Sequence, residues 1–123
     1  MLPVDVVFRN MLRSAAAESR IRDKAEALAV LEPRLLQCRV VVDLPHRHHK
    51  NGERFRVRIA LSVPGSKRLL IEHGPVADVH QAIHDGFETA KRRLKALNER
   101  RRGAVKSHAG PNGADFDAGD LWH

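Results

Sequence analysis

The sequence has no tyrosine, one tryptophan and one cysteine, and each shortage removes a class of function. With only four Phe beside that single Trp, base stacking of the kind used by single-strand nucleic-acid binders has little to work with. Cys38 has no partner for an internal disulfide and sits in an apolar, strand-like run, which suits an inert buried thiol in a reducing compartment. No apolar run reaches the roughly 18 residues that a membrane span needs. Met1 to Phe8 carries neither a basic flank nor an apolar run of signal-peptide length, so the expectation is a cytoplasmic chain that stays off the membrane. Enzymatic patterns are missing too. There is no Gly-rich phosphate loop, no GxSxG elbow, no CxxC and no carboxylate pair set among apolar residues. The expectation is a non-enzyme with no catalytic residue, no cofactor and no small-molecule substrate.

What is present is positive charge, unevenly placed. The chain of 123 residues carries a formal +7 and has a pI near 10.5. Residues 1–102 hold 21 of the 22 Lys and Arg and 12 of the 15 acids, leaving one Lys and three Asp beyond them. A basic body with an acidic end points to a polyanionic partner, with nucleic acid the first candidate and an anionic membrane surface the second.

Hydrophobic periodicity gives the architecture. Leu2, Val4, Val6 and Phe8 alternate with more polar neighbours as a strand does. Ser14 stands as an N-cap ahead of Ala15, and Ala17, Ile21, Ala25, Leu28 and Leu31 form one helical stripe, predicting a helix over 15–31. Alternation from Leu36 to Leu44 predicts a second strand. Alternation from Phe55 to Val63 predicts a third, and Pro64-Gly65 turns the chain into a fourth at 67–73 that Gly74-Pro75 should break. From the N-cap candidate Asp78, the residues Val79, Ile83, Phe87, Ala90, Leu94 and Leu97 predict a helix over about 79–100, with Gly86 placed for close packing on the sheet. The fold class is therefore α+β in the order β-α-β-β-β-α, with a four-stranded sheet and both helices on one face. Residues 1–102 form the domain, and 103–123 are expected to be a disordered acidic tail, because large apolar groups are scarce there.

Two basic surfaces emerge. The pleat aligns Arg54, Arg56 and Arg58 on the solvent side of the third strand, with Arg39 of the second strand on the same face. Guanidinium forks arranged so can grip phosphate oxygens in pairs. The second surface is the last helix, with Lys91, Arg92, Arg93, Lys95 and Arg102, where His84, Lys91, Lys95 and Arg102 fall within a band about 40° wide. Either set also reads as a solvated face with snorkelling side chains. His80 and His84, spaced i, i+4, lack a third ligand for zinc, so no metal is expected. His46, His48 and His49 in the loop read as further RNA-facing groups.

Several stretches carry a family resemblance: VDVVFRN at 4–10, LLQCRVVVDLP, FRVRIALSVPG at 55–65 and DVHQAIHDGFETAKRRLKAL at 78–97. Together they resemble the ribosome hibernation-promoting factor and protein Y family, also called sigma-54 modulation proteins. The resemblance implies the same β-α-β-β-β-α fold. It also implies a stress-response role: binding rRNA of the small ribosomal subunit in the mRNA and tRNA channel, and holding idle ribosomes inactive. By position, Arg92 and Lys95 match the family's basic helix residues, whereas Arg54, Arg56 and Arg58 rest on the strand argument alone. His80 stands where members often have Tyr, and the chain looks like a short form without the family's second, dimerising domain. Two other readings stay open: a general double-stranded RNA-binding module or RNA chaperone, and a protein-interaction module for an acidic partner. Sedimentation with ribosomes separates the first reading from these two.

Overall fold

The computed structural model describes residues 2–45 and 54–107, with 103–107 as backbone alone. Six elements follow in the expected order: β1 (Val4–Arg9), α1 (Ala15–Leu31), β2 (Gln37–Asp43), β3 (Phe55–Ser62), β4 (Leu69–Val76) and α2 (Val79–Ser107). The four strands make one sheet in the order β1-β2-β3-β4. β1 runs parallel to β2, since a helix crosses between them, and the other neighbours are antiparallel. Val6, Val40, Val42, Val57, Ile59, Leu61 and Ile71 from the sheet join Ile21, Leu28, Ile83, Phe87 and Leu94 from the helices in one core. Both helices thus cover the same face, and the other face of the sheet is open.

Local chemistry sets the helix starts. The Ser14 hydroxyl accepts the Ala17 N–H at 3.1 Å, and Asp78 Oδ1 accepts the His80 N–H at 2.9 Å. Ile83 and Leu94 are fully buried and Phe87 nearly so. At about 1.5–3 kcal/mol for each such side chain, this stripe is what seats α2 on the sheet. Gly86 lets the helix come close: a Cβ there would stand 3.2 Å from Ile59 Cδ1. The expected packing role of Gly86 is met.

Several boundaries differ from the sequence expectation. Leu36 is exposed while Leu35 is buried, because the chain after Pro33 turns through Leu35 N–H to Glu32 O and enters β2 only at Gln37. Phe55 is half-buried and stands outside the core, since it lies at the start of β3, where the register shifts. β4 begins at Leu69 and is not broken by Gly74-Pro75; it continues to Val76, which pairs with Phe55 across the register shift. Proline is tolerated there because β4 is an edge strand, where a missing N–H need not cost a ladder bond. Gly74 is required at that point: its φ is +106°, and a side chain would collide with the Phe55 carbonyl oxygen. Finally, α2 runs past the expected end near residue 100 to Ser107, with Gly103 inside it. One glycine costs a helix only about 1 kcal/mol, which Ala104 and its neighbours can offset. The expected tail boundary at 103 therefore falls within a helix, and the remainder of that tail, like the loop histidines His46, His48 and His49, lies outside the described residues.

Candidate nucleic-acid interface

The sheet's open face and the helical layer hold the two expected basic sets on opposite sides of the molecule. On the open face, the register aligns Asp5, Arg39, Ala60 and Leu70 in one row and Val41, Arg58 and Glu72 in the next. Arg39, Arg56 and Arg58 each have an acid beside them. Arg39 Nη1 lies 3.3 Å from Asp5 Oδ2, and Glu72 holds both Arg56, at 3.2 Å, and Arg58, at 3.8 Å. The Arg56 contact lacks hydrogen-bond geometry, and its buried Nε is left without an acceptor. Arg54 is exposed just ahead of β3. Arg68, which sequence reasoning passed over, joins Arg39 and Arg58 around a shallow groove floored by Val41, Ala60 and Leu70.

The helical layer is charged differently. Between Thr89 and Arg102, α2 carries Lys91, Arg92, Arg93, Lys95, Arg100, Arg101 and Arg102 against the single acid Glu99. Arg92 Nη2 donates to Thr89 Oγ1 at 3.4 Å, a neutral partner that leaves its charge intact. Lys91 Nζ is 3.9 Å from Glu88 Oε2, a loose and exposed contact. Lys95 and Arg102 are exposed, as is His84. The Arg93 side is distinct: with 3.6 residues per turn it sits about 160° round the helix from Lys91. Burial, and secondarily the neighbouring Arg92, lowers its pKa from the usual guanidinium range. Arg93 therefore does not share one surface with Lys91 and Lys95.

Tertiary packing adds a cation from the other helix. Lys24 of α1 meets Lys91 and Lys95 across a groove lined by Ala27, Leu28, Val30, Leu31, Phe87 and Glu88. Its spacing on α1 places it beside the buried stripe, but only the pairing of the helices shows which neighbour it faces. At the other end of the layer, Arg20 Nε donates to His80 Nδ1 at 3.1 Å. The two helices therefore lie side by side in the same sense, N-terminal end with N-terminal end. That bond engages one ring nitrogen of His80, and no group of three or more metal-ligating side chains occurs among the described residues. Cys38 is fully buried, and burial pushes its thiol up to about 12. It is no nucleophile at neutral pH.

Comparisons with known proteins match this β-α-β-β-β-α core. The family model described as "Sigma 54 modulation protein / S30EA ribosomal protein" covers residues 4–102. The chain belongs to this family. Membership in the sigma 54 modulation and S30EA family makes it a ribosome-associated factor. Among solved structures, the Protein Y N-terminal domain of Thermus thermophilus is similar at a TM-score of 0.61 and 21% identity, over 79% of this chain and 99% of that one. A ribosomal subunit interface protein from Coxiella burnetii is similar at 0.63 and 11% identity, over 80% and 99%. At such identities the likeness is one of fold. No curated protein matches the chain by sequence. The sigma 54 modulation and S30EA match ends at Arg102, inside α2, so the last turns of that helix continue beyond the part held in common.

Proposed function

We propose that the protein is a hibernation factor that binds rRNA of the small ribosomal subunit in the mRNA and tRNA channel and silences translation there. The observation that carries this reading is the seven-to-one excess of cations over acids between Thr89 and Arg102 of α2, on a family member whose other basic face is partly offset by its own Asp5 and Glu72. A surface rich in Lys and Arg binds polyanions by releasing condensed counterions, and that release needs no base stacking. The scarcity of aromatic side chains fits recognition of backbone and shape. Lys91, Arg92, Lys95, Arg102 and His84 form the primary contact, with Lys24 beside them. Arg39, Arg54, Arg56 and Arg58 are secondary, and Arg93 contributes long-range charge from the other flank. Sucrose-gradient sedimentation of a stationary-phase lysate tests the reading. Co-migration with small subunits or whole ribosomes is expected, and a profile confined to the top fractions would refute it. In a purified translation assay, added protein should inhibit initiation, and excess mRNA should relieve the inhibition.

A further inference from the structure

The α1/α2 groove has a composition that the rRNA reading does not use. Val30 is 82% exposed on its rim, an aliphatic side chain left in water beside Ala27, Leu31 and Phe87. Lys24, Lys91 and Lys95 border these apolar groups together with one acid, Glu88, which touches Lys91 loosely at 3.9 Å, and among the described residues no carboxylate lies within ion-pair distance of Lys24 or Lys95. A groove with an apolar floor and a lysine border fits a peptide of apolar side chains set between acids. The same chain supplies such a segment. Residues 108–123 contain no Lys or Arg, and their large apolar groups stand next to aspartates: Phe116 between Asp115 and Asp117, and Leu121-Trp122 directly after Asp120.

Reach and direction agree with this occupant. The helices run in the same sense, so the groove lies toward the end from which α2 delivers the chain at Ser107. At about 1.5 Å per residue, Lys95 lies about 18 Å and Lys91 about 24 Å back along α2 from Ser107. A Gly-rich chain of the length from Ser107 to Trp122 has a root-mean-square span of about 21 Å. A tether matched to its span gives a local concentration near the maximum, in the millimolar range, so even a weak contact is populated.

We propose that the acidic, aromatic segment 115–122 folds back into the α1/α2 groove of its own chain, covering Val30 and pairing its aspartates with Lys24, Lys91 and Lys95. On the rRNA reading given above, the segment then competes with RNA for these lysines and lowers ribosome affinity until a polyanion displaces it. A segment docked nine-tenths of the time would weaken RNA binding about tenfold.

Trp122 is the sole Trp and there is no Tyr, so intrinsic fluorescence reports on this segment alone. Acrylamide quenching of the full chain should show Trp122 protected. Val30→Asn, at an exposed position outside the RNA-binding cations, should expose it, with circular dichroism confirming an unchanged fold. A variant with Asp115, Asp117 and Asp120 all changed to Asn and Phe116 to Ser should expose it equally without touching the groove. Wild-type Trp122 as quenchable as in either variant overturns the proposal. Protection that grows with protein concentration also overturns it, by assigning the groove to the segment of a second copy. Both variants should bind small subunits up to about tenfold more tightly than the parent. Protection lost in both variants with unchanged ribosome affinity would leave the docking standing and sink the rRNA role of the groove instead.

Discussion

On the outer sheet face Glu72 holds Arg56 and Arg58 and Asp5 holds Arg39, whereas α2 between Thr89 and Arg102 carries seven cations and the acid Glu99, with Glu88 just before it in loose contact with Lys91. Both surfaces are rich in arginine, and the residue type does not separate them. What separates them is the cross-strand neighbour. A strand brings the charges of its partners within 4–5 Å at every position, so a basic strand in a sheet meets acids that local sequence does not show. The exposed flank of a helix meets mainly its own residues three and four away, and along α2 those are mostly basic or neutral. The helical layer thus keeps more of the charge that counterion release requires, and the sheet face offsets part of its own internally.

This contrast is open to direct attack. The largest effect is expected from changing Lys91, Arg92 and Lys95 to Ala together. At about 0.7–0.9 in salt slope for each phosphate contact, the slope should become shallower by about 2–3 and affinity should fall on the order of a hundredfold near 0.1 M salt. Stability should stay within about 0.5 kcal/mol, since these are exposed helix positions where Ala is favoured. Ribosome pelleting across a salt series measures the first and chemical unfolding the second. Affinity equal to that of the parent would end the primacy of α2.

Changing Arg56 and Arg58 to Ala is expected to alter ribosome affinity less, because Glu72 offsets half of their combined charge. A loss matching that of the helix triple would move the contact to the sheet. Glu72→Gln sharpens the point from the other side by freeing both arginines without removing either. Its cost in stability should be about 1 kcal/mol or less, as for exposed pairs in general. Unchanged affinity on pelleting supports the helical layer, and a clear gain shows that the sheet face touches RNA.

The smallest effect concerns the helical layer's own double clamp, in which Glu18 bonds Arg22 at 3.0 Å and Arg13 at 2.8 Å. The bond from Arg22, with the nearby charge and hydrogen bond of Arg13 adding to it, holds the Glu18 carboxyl below its ordinary value of 4.5 despite partial desolvation. A depressed carboxylate stabilises the fold above the unfolded-state value and loses that contribution as pH falls through the folded one. Glu18→Gln should therefore flatten part of the decline in melting temperature below pH 4.5 and change ribosome binding little. An identical acid profile in the variant would show that the clamp contributes nothing.

Element order, the N-caps at Ser14 and Asp78 and the packing role of Gly86 were legible in the chain, because periodicity, capping and glycine spacing are local signals. The arginine alternation of β3 was legible as a pattern and misleading as a ranking, since Glu72 comes beside Arg56 and Arg58 only through the β3/β4 register. Gly74-Pro75 reads locally as a break, and only the edge position of β4 makes it tolerable within a strand. Lys24 shows the same limit on the helical side, where one-dimensional spacing places it on a flank and cannot say which helix it faces. The sequence by itself determined the fold class and the net attraction to polyanions, because hydrophobic period and total charge are sums over the chain. Which positive charges remain free, and the groove they border, was decided by tertiary structure alone, because Coulomb pairing depends on distances of a few ångströms between residues remote in sequence.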